Sequence, residues 1–364
     1  MLLLPAAPAW AHFGGDQGER RVSADLWASL RRPGLERARQ LQLAAEEEER
    51  QALRQLPDEW SRICRHALSP QGEELSIAML RGRLRGLKSL LRHALERRAH
   101  LDGALTRIER AVALDPENPE LLFTWARMLQ FWENPSSLTG CRSERRDEEA
   151  LAVYARLREL DPEFMPASVA ASEGILLTRL SRYGDATEAY LRAIALSLDP
   201  ERSANSHYNL AEVSMLDGQL ERALAHYRRA LDVAREPHLQ LLALWGLAVA
   251  YDRLGEHQAA IEHARKASYA DGRQLRILRS PSVFFVPRHE LHYYEALGHE
   301  ALADAAESPE QRITALQAAL RSWHAFLAAA GPEGAFAADA RDNLRRLQVA
   351  LGAQRDKTKA EALP

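Results

Sequence analysis

A chain of 364 residues, 46% hydrophobic and 27% charged, is long enough for two ordinary domains or one extended solenoid. Its formal net charge of −3 gives no bulk field to recruit DNA or an anionic membrane, so no nucleic-acid partner is expected. Two cysteines, Cys64 and Cys141, make neither a disulfide framework nor a zinc cluster and are read as unpaired thiols, with a bridge between them as the alternative. β-branched runs are sparse, and the class is all-α.

The first eleven residues are apolar and end in Ala9-Trp10-Ala11, an Ala-x-Ala-like cleavage signal without the basic segment that usually precedes one. The expectation is an export signal, with the mature chain starting near His12; the alternative is a plain apolar tail. No later run approaches the roughly 18 apolar residues of a membrane span, so no integral membrane segment is expected. Residues 12–100 read as a tail followed by an N-terminal helical region. Within it, a helix from Leu35 to Leu56 carries Glu46-Glu47-Glu48-Glu49, which reads as a solvated face. A long basic helix runs from Glu73 to His100, its arginines taken as the wet face of a packed helix.

From Leu101 a repeat emerges. His207-Tyr208-Asn209-Leu210-Ala211, Gly218, Ala223 and Ala230 are answered by Leu244-Trp245-Gly246-Leu247-Ala248, Gly255, Ala260 and Ala267. Each unit reads as two amphipathic helices turning at the glycine, where a residue without Cβ suits a left-handed turn. Alanines mark the places where two backbones approach closely. The equivalent position recurs at Ala104, Ala150, Ala186, Ala223 and Ala260. The array spans 101–272, with an insertion from Glu133 to Arg146. An irregular proline-bounded stretch, 273–288, contains Ser280-Pro281-Ser282-Val283-Phe284-Phe285-Val286-Pro287 and is expected to dock across the repeats rather than stay free. A last unit and capping helix fill 289–352, and 353–364 reads as a disordered tail.

These repeats resemble the tetratricopeptide (TPR) repeat over about Leu101 to Asp271, and more loosely from Pro287 to Ala330. The resemblance implies a right-handed superhelix of helical hairpins, with an N-terminal helical extension and a C-terminal capping helix. It also implies a concave groove, lined by the first helices, that takes a protein or peptide partner. Carried over position by position, the groove residues are Phe123 and Arg127, then Tyr208, Glu212 and Met215, then Trp245 and Asp252, then His292, Glu295 and His299. Tyr208 and Trp245 are the expected aromatic anchors. The Lys and Asn residues with which the family clamps an acidic chaperone tail are not at these positions.

No Gly-rich phosphate loop or nucleophile elbow stands out, and His289-Glu290-Leu291-His292 has its second histidine one residue too early for a zinc-protease helix. The expectation is a noncatalytic scaffold without cofactor or metal, at work in assembly of a bacterial envelope complex, in the periplasm or cell envelope. Two alternatives are a cytoplasmic regulatory TPR protein and a metal-dependent hydrolase built on His289 to His299.

Overall fold

The computed structural model describes residues 2–3, 33–54, 96, 98–135, 143–273, 275–279, 283–285 and 287–361. Cys64, Cys141, most of the long basic helix and nearly all of the signal-like segment lie outside them.

The chain divides into two compact units, 5–180 and 181–364, the second including Leu2 and Leu3. The N-terminal unit holds α1 (Pro33–Arg54), α2 (98–114), α3 (Pro119–Phe131), α4 (Asp147–Leu160) and α5 (Pro166–Arg179). The C-terminal unit holds α6 (Tyr183–Leu196), α7 (Pro200–Leu216), α8 (Leu220–Val233), α9 (Pro237–Arg253) and α10 (His257–Ala270). It continues with α11 (Glu290–Asp304), α12 (Pro309–Ala330) and α13 (Ala337–Glu361).

The architecture is nearly all helical, as expected, with small additions. A β1 strand (Leu2–Leu3) pairs antiparallel with β4 (Val283–Phe284), and β2 (Glu133–Pro135) pairs with β3 (Ser143–Arg145) across the predicted insertion. The last helix runs on to Glu361, through residues the sequence leaves as a tail.

Local chemistry sets the helix boundaries. Prolines that end one repeat also open the next: Pro119, Pro200, Pro237 and Pro309 sit in the first turns of α3, α7, α9 and α12. The missing proline N–H is one that a first turn leaves unpaired in any case. Side chains just before them cap the ends: the Asn118 carboxamide accepts from the Glu120 and Leu121 amides, Asp199 from Glu201, and Ser308 from Gln311. The two repeat glycines turn their pairs as expected, with φ +74° at Gly218 and +80° at Gly255. Behind each, the next amide (Gln219, Glu256) reaches back to the carbonyl of Ser214 or Tyr251, a closure that needs the left-handed residue.

In the C-terminal unit the inner helices α7, α9 and α11 adjoin one another, and α8, α10 and α12 each pack between their own inner helix and the next, with α13 closing the stack. Ala104, Ala150, Ala186, Ala223 and Ala260 are all fully buried, which is why nothing larger recurs there. Gly246 serves the same end: a Cβ on it would stand 2.2 Å from the Tyr227 ring. Each unit has its own apolar core. Among the described residues no helix is long and apolar enough to cross a membrane.

Candidate functional site

The inner wall of the C-terminal unit is built from α7, α9 and α11. It contains Tyr208, Glu212, Met215, Trp245, Asp252 and Glu295, but none of these stands open to solvent. Tyr208 and Trp245 are fully buried, and Met215 and Glu212 nearly so. The expectation that the two aromatics project as exposed anchors is corrected for the free chain. Tyr208 packs its ring 5.7 Å from that of Tyr227, and the tip of Trp245 lies against Gly298.

The α9 and α11 side of this wall is covered by the irregular stretch after α10, while α7 adjoins β1, the strand that pairs with β4. Leu275, Ile277, Leu278, Val283 and Phe285 all enter the unit's core. The Leu275 methyls meet Trp245 over Gly298, where a Cβ would come within 2.8 Å of Leu275 and 2.9 Å of Trp245. Phe285 stands edge-on to Tyr294, 5.4 Å between centroids. The Asp271 carboxylate accepts the Ile277 amide, and Arg279 pairs with Glu295 at 2.8 Å. These described residues of the stretch dock, as its composition predicts.

Beneath it, carboxylates organise the wall. Tyr294 donates to Glu212 at 3.3 Å, and burial, with the Glu212 charge adding to it, pushes the hydroxyls of Tyr208, Tyr227 and Tyr294 well above the usual tyrosine range. Asp252, expected to face a groove, is instead a core hub: it accepts from Tyr293 and Asn343, each at 2.7 Å, and meets His257 at 2.6 Å. Glu300 accepts from Trp323 at 2.8 Å and from Arg346 at 2.6 Å, and lies 3.4 Å from the second His257 nitrogen. A charge on His257 is opposed first by burial, yet the two carboxylates outweigh it and raise the pKa to about 9. Arg253 is buried against Glu290, its guanidinium 3.8 Å from the Phe336 ring centroid. This network ties α9, α10, α11, α12 and α13 without any described residue of 275–285.

His292, Glu295 and His299 do share α11, but Glu295 is engaged by Arg279 and by His292 at 3.4 Å. Among the described residues no group of three or more His, Cys, Asp or Glu side chains is placed to hold a metal. Elsewhere on the array, His207 and His226 stack with their Nδ1 atoms 3.1 Å apart, and burial lowers both pKa values, that of His207 to about 4.

In the N-terminal unit Phe123 is half-buried, edge-on to Tyr154 and Phe164. Arg127 is bound to Glu49 of α1 at 2.8 Å, with Glu49 fully enclosed. Glu48 pairs with Arg107, and Gln42 donates to Thr124. The acidic run therefore is not simply a solvated face: two of its members bind α2 and α3. Ala38, Ala45 and Ala52, seven residues apart and all buried, are the sequence signal that could have found this seat.

A tetratricopeptide-repeat family profile matches residues 202–268. The Photosystem I assembly protein Ycf3 of Cyanophora paradoxa is 30% identical over 125 residues, covering 32% of this chain and 70% of that protein. The solved structure of Pseudomonas aeruginosa pilF aligns over 68% of this chain and 99% of its own, at 18% identity and a TM-score of 0.44. That of YrrB, a TPR protein with an unusual peptide-binding site, covers 61% of this chain and 96% of its own, at 18% identity and a TM-score of 0.39. With its repeat residues matched and the larger part of a 30%-identical relative aligned, the chain belongs to the tetratricopeptide-repeat family.

Proposed function

We propose that this chain is a noncatalytic scaffold that captures a segment of another protein during assembly of a multi-protein complex in a bacterial cell envelope. The observation that carries this reading is the inner wall of α7, α9 and α11: three successive inner helices form one continuous surface, and a segment made of a 3-10 turn (Ile277–Arg279) and a short strand already packs on its α9 and α11 side. Stacked helix pairs present such a surface because each repeat touches only its neighbours, leaving one face of every inner helix to a common side. The relative's printed role in assembly supports the scaffold part, and Ala9-Trp10-Ala11 supports the envelope part.

Site-specific photocrosslinking in the native host tests it. A photoreactive phenylalanine analogue at His292, beside the wall, is expected to trap one predominant protein. The same probe at Lys266, on the outer helix α10, is expected to trap none. Equal yields from the two positions would sink the scaffold reading. Mass spectrometry of the mature N-terminus checks the envelope part, with a start near His12 expected and an intact Met1 on cytoplasmic protein counting against it.

A further inference from the structure

We infer that the ligand of the α9–α11 side of the wall is an apolar segment that turns one cation toward it, and that in the free chain residues 275–279 and 283–285 occupy its place as an internal, displaceable stand-in. The inference rests on the scaffold reading and names the partner class for it.

The occupant's chemistry comes first. It offers Leu275, Ile277, Leu278, Val283 and Phe285 to Trp245, Gly298 and Tyr294, and one cation, Arg279, to the largely buried carboxylate of Glu295. That is a side-chain code of apolar anchors plus a single positive charge. Burial alone would raise the pKa of Glu295, but His292 on the same helix and Arg279 of the segment lower it, so a cation seated where Arg279 stands meets a carboxylate that it helps to keep ionised.

The hold on the segment is uneven. Its entry runs through Gly272, Arg273 and Leu275 at φ +63°, +62° and +50°; for Arg273 and Leu275 this is backbone that L side chains rarely adopt. Its ion pair is open on one side only, the Arg279 side chain being 53% accessible against 9% for Glu295, so the cation can leave while the carboxylate stays in the wall. The wall meanwhile stays together without it. The Asp252 and Glu300 hubs link α9 to α13 using no described residue of the segment, so its departure leaves these ties between the helices in place. The Trp245 indole N–H is also buried without an acceptor among the described residues. A native-like buried donor normally has one, and the carbonyls of an incoming extended chain are acceptors of the right kind.

Tethering gives the stand-in an effective concentration in the millimolar range, so the free chain binds a competitor weakly until the tether's hold is loosened. The probe is a fluorescein-labelled synthetic peptide of residues 273–287, Arg-Gln-Leu-Arg-Ile-Leu-Arg-Ser-Pro-Ser-Val-Phe-Phe-Val-Pro. It is titrated by anisotropy against the full chain and against the full-length double variant Leu275→Asp/Arg279→Glu. The variant is expected to bind at least about tenfold more tightly than the parent. A peptide carrying the same two substitutions is expected not to bind. A folded variant that ignores the wild-type peptide overturns the inference. Should the variant fail to fold, hydrogen exchange on the unmodified chain decides. Amides of 275–279 exchanging faster than those of α9, by local opening, support displaceability; exchange as slow as α9 makes the segment permanent core and overturns it. Because the peptide is the chain's own, binding with no host crosslinks from His292 would leave this result standing and fail only the scaffold reading.

Discussion

The two units cover their inner faces in different ways. In the N-terminal unit a 22-residue helix, α1, covers α3 through three buried alanines and the enclosed Glu49–Arg127 pair. In the C-terminal unit the cover is an irregular stretch held by apolar side chains, the pairing of β4 with β1, one half-exposed ion pair and a left-handed entry. A helix satisfies its own backbone and needs a partner only for its stripe, so it can be a permanent layer. A strand draws its backbone partners from outside itself, here β4 from β1, and a competitor of like shape can supply the same contacts. The comparison teaches that the same family geometry leaves one wall sealed and the other exchangeable.

The largest expected effect tests whether the wall beneath the C-terminal cover is core. Tyr208→Ala with Trp245→Ala removes two fully buried rings, and chemical denaturation should show a loss of about 5 kcal/mol or more, no smaller than Leu210→Ala with Leu247→Ala. A melting temperature close to the parent's would return both rings to an open groove and erase the difference between wall and cover.

Next comes the sealed unit. Arg127→Ala leaves the Glu49 carboxylate buried without its principal cation, at a cost of about 3 kcal/mol to that unit. Burial already raises the Glu49 pKa, so the variant's loss should shrink on acidification as the carboxyl takes up a proton. A pH-independent loss under 1 kcal/mol (roughly the value of a surface pair) would mean the seal is no firmer than the strap.

The hub that keeps the C-terminal helices together can be read by pH. His257 has its pKa raised from about 6.5 to about 9, so its contribution is fully present below pH 6.5 and is lost as pH climbs through 9. The loss is on the order of 3 kcal/mol at most, and it should vanish in His257→Gln. On the acid side the sign reverses: His207, lowered to about 4, makes the folded state shed a proton that the unfolded state holds. Stability should therefore fall between pH 6.5 and 4, and His207→Gln should flatten that limb. Parallel limbs in parent and variants would remove both histidines from the account.

The smallest effect is at the rim. Arg279→Ala should cost less than about 1 kcal/mol, because its side chain is half exposed, while speeding exchange at 275–279. A loss as large as that of Arg127→Ala would make the two covers alike.

The repeat itself was legible in the sequence. Ala223, Gly218 and Ala260, Gly255 mark close approach and left-handed turns, and short-range sterics decide both, so position along the chain suffices to find them. The docking of 275–279 and 283–285 was legible as well, since adjacent phenylalanines between prolines read in the sequence as costly to leave in water. Which side chains face outward was not. Family offsets place Tyr208, Trp245 and Asp252 on an inner face, but whether that face is wet depends on what else in the chain lies across it. Glu49 reads as solvated until Arg127, 78 residues away, is set beside it. Helix periods and turns are encoded within a few residues of where they act; burial and charge pairing join residues distant in sequence, and only the folded arrangement decides those.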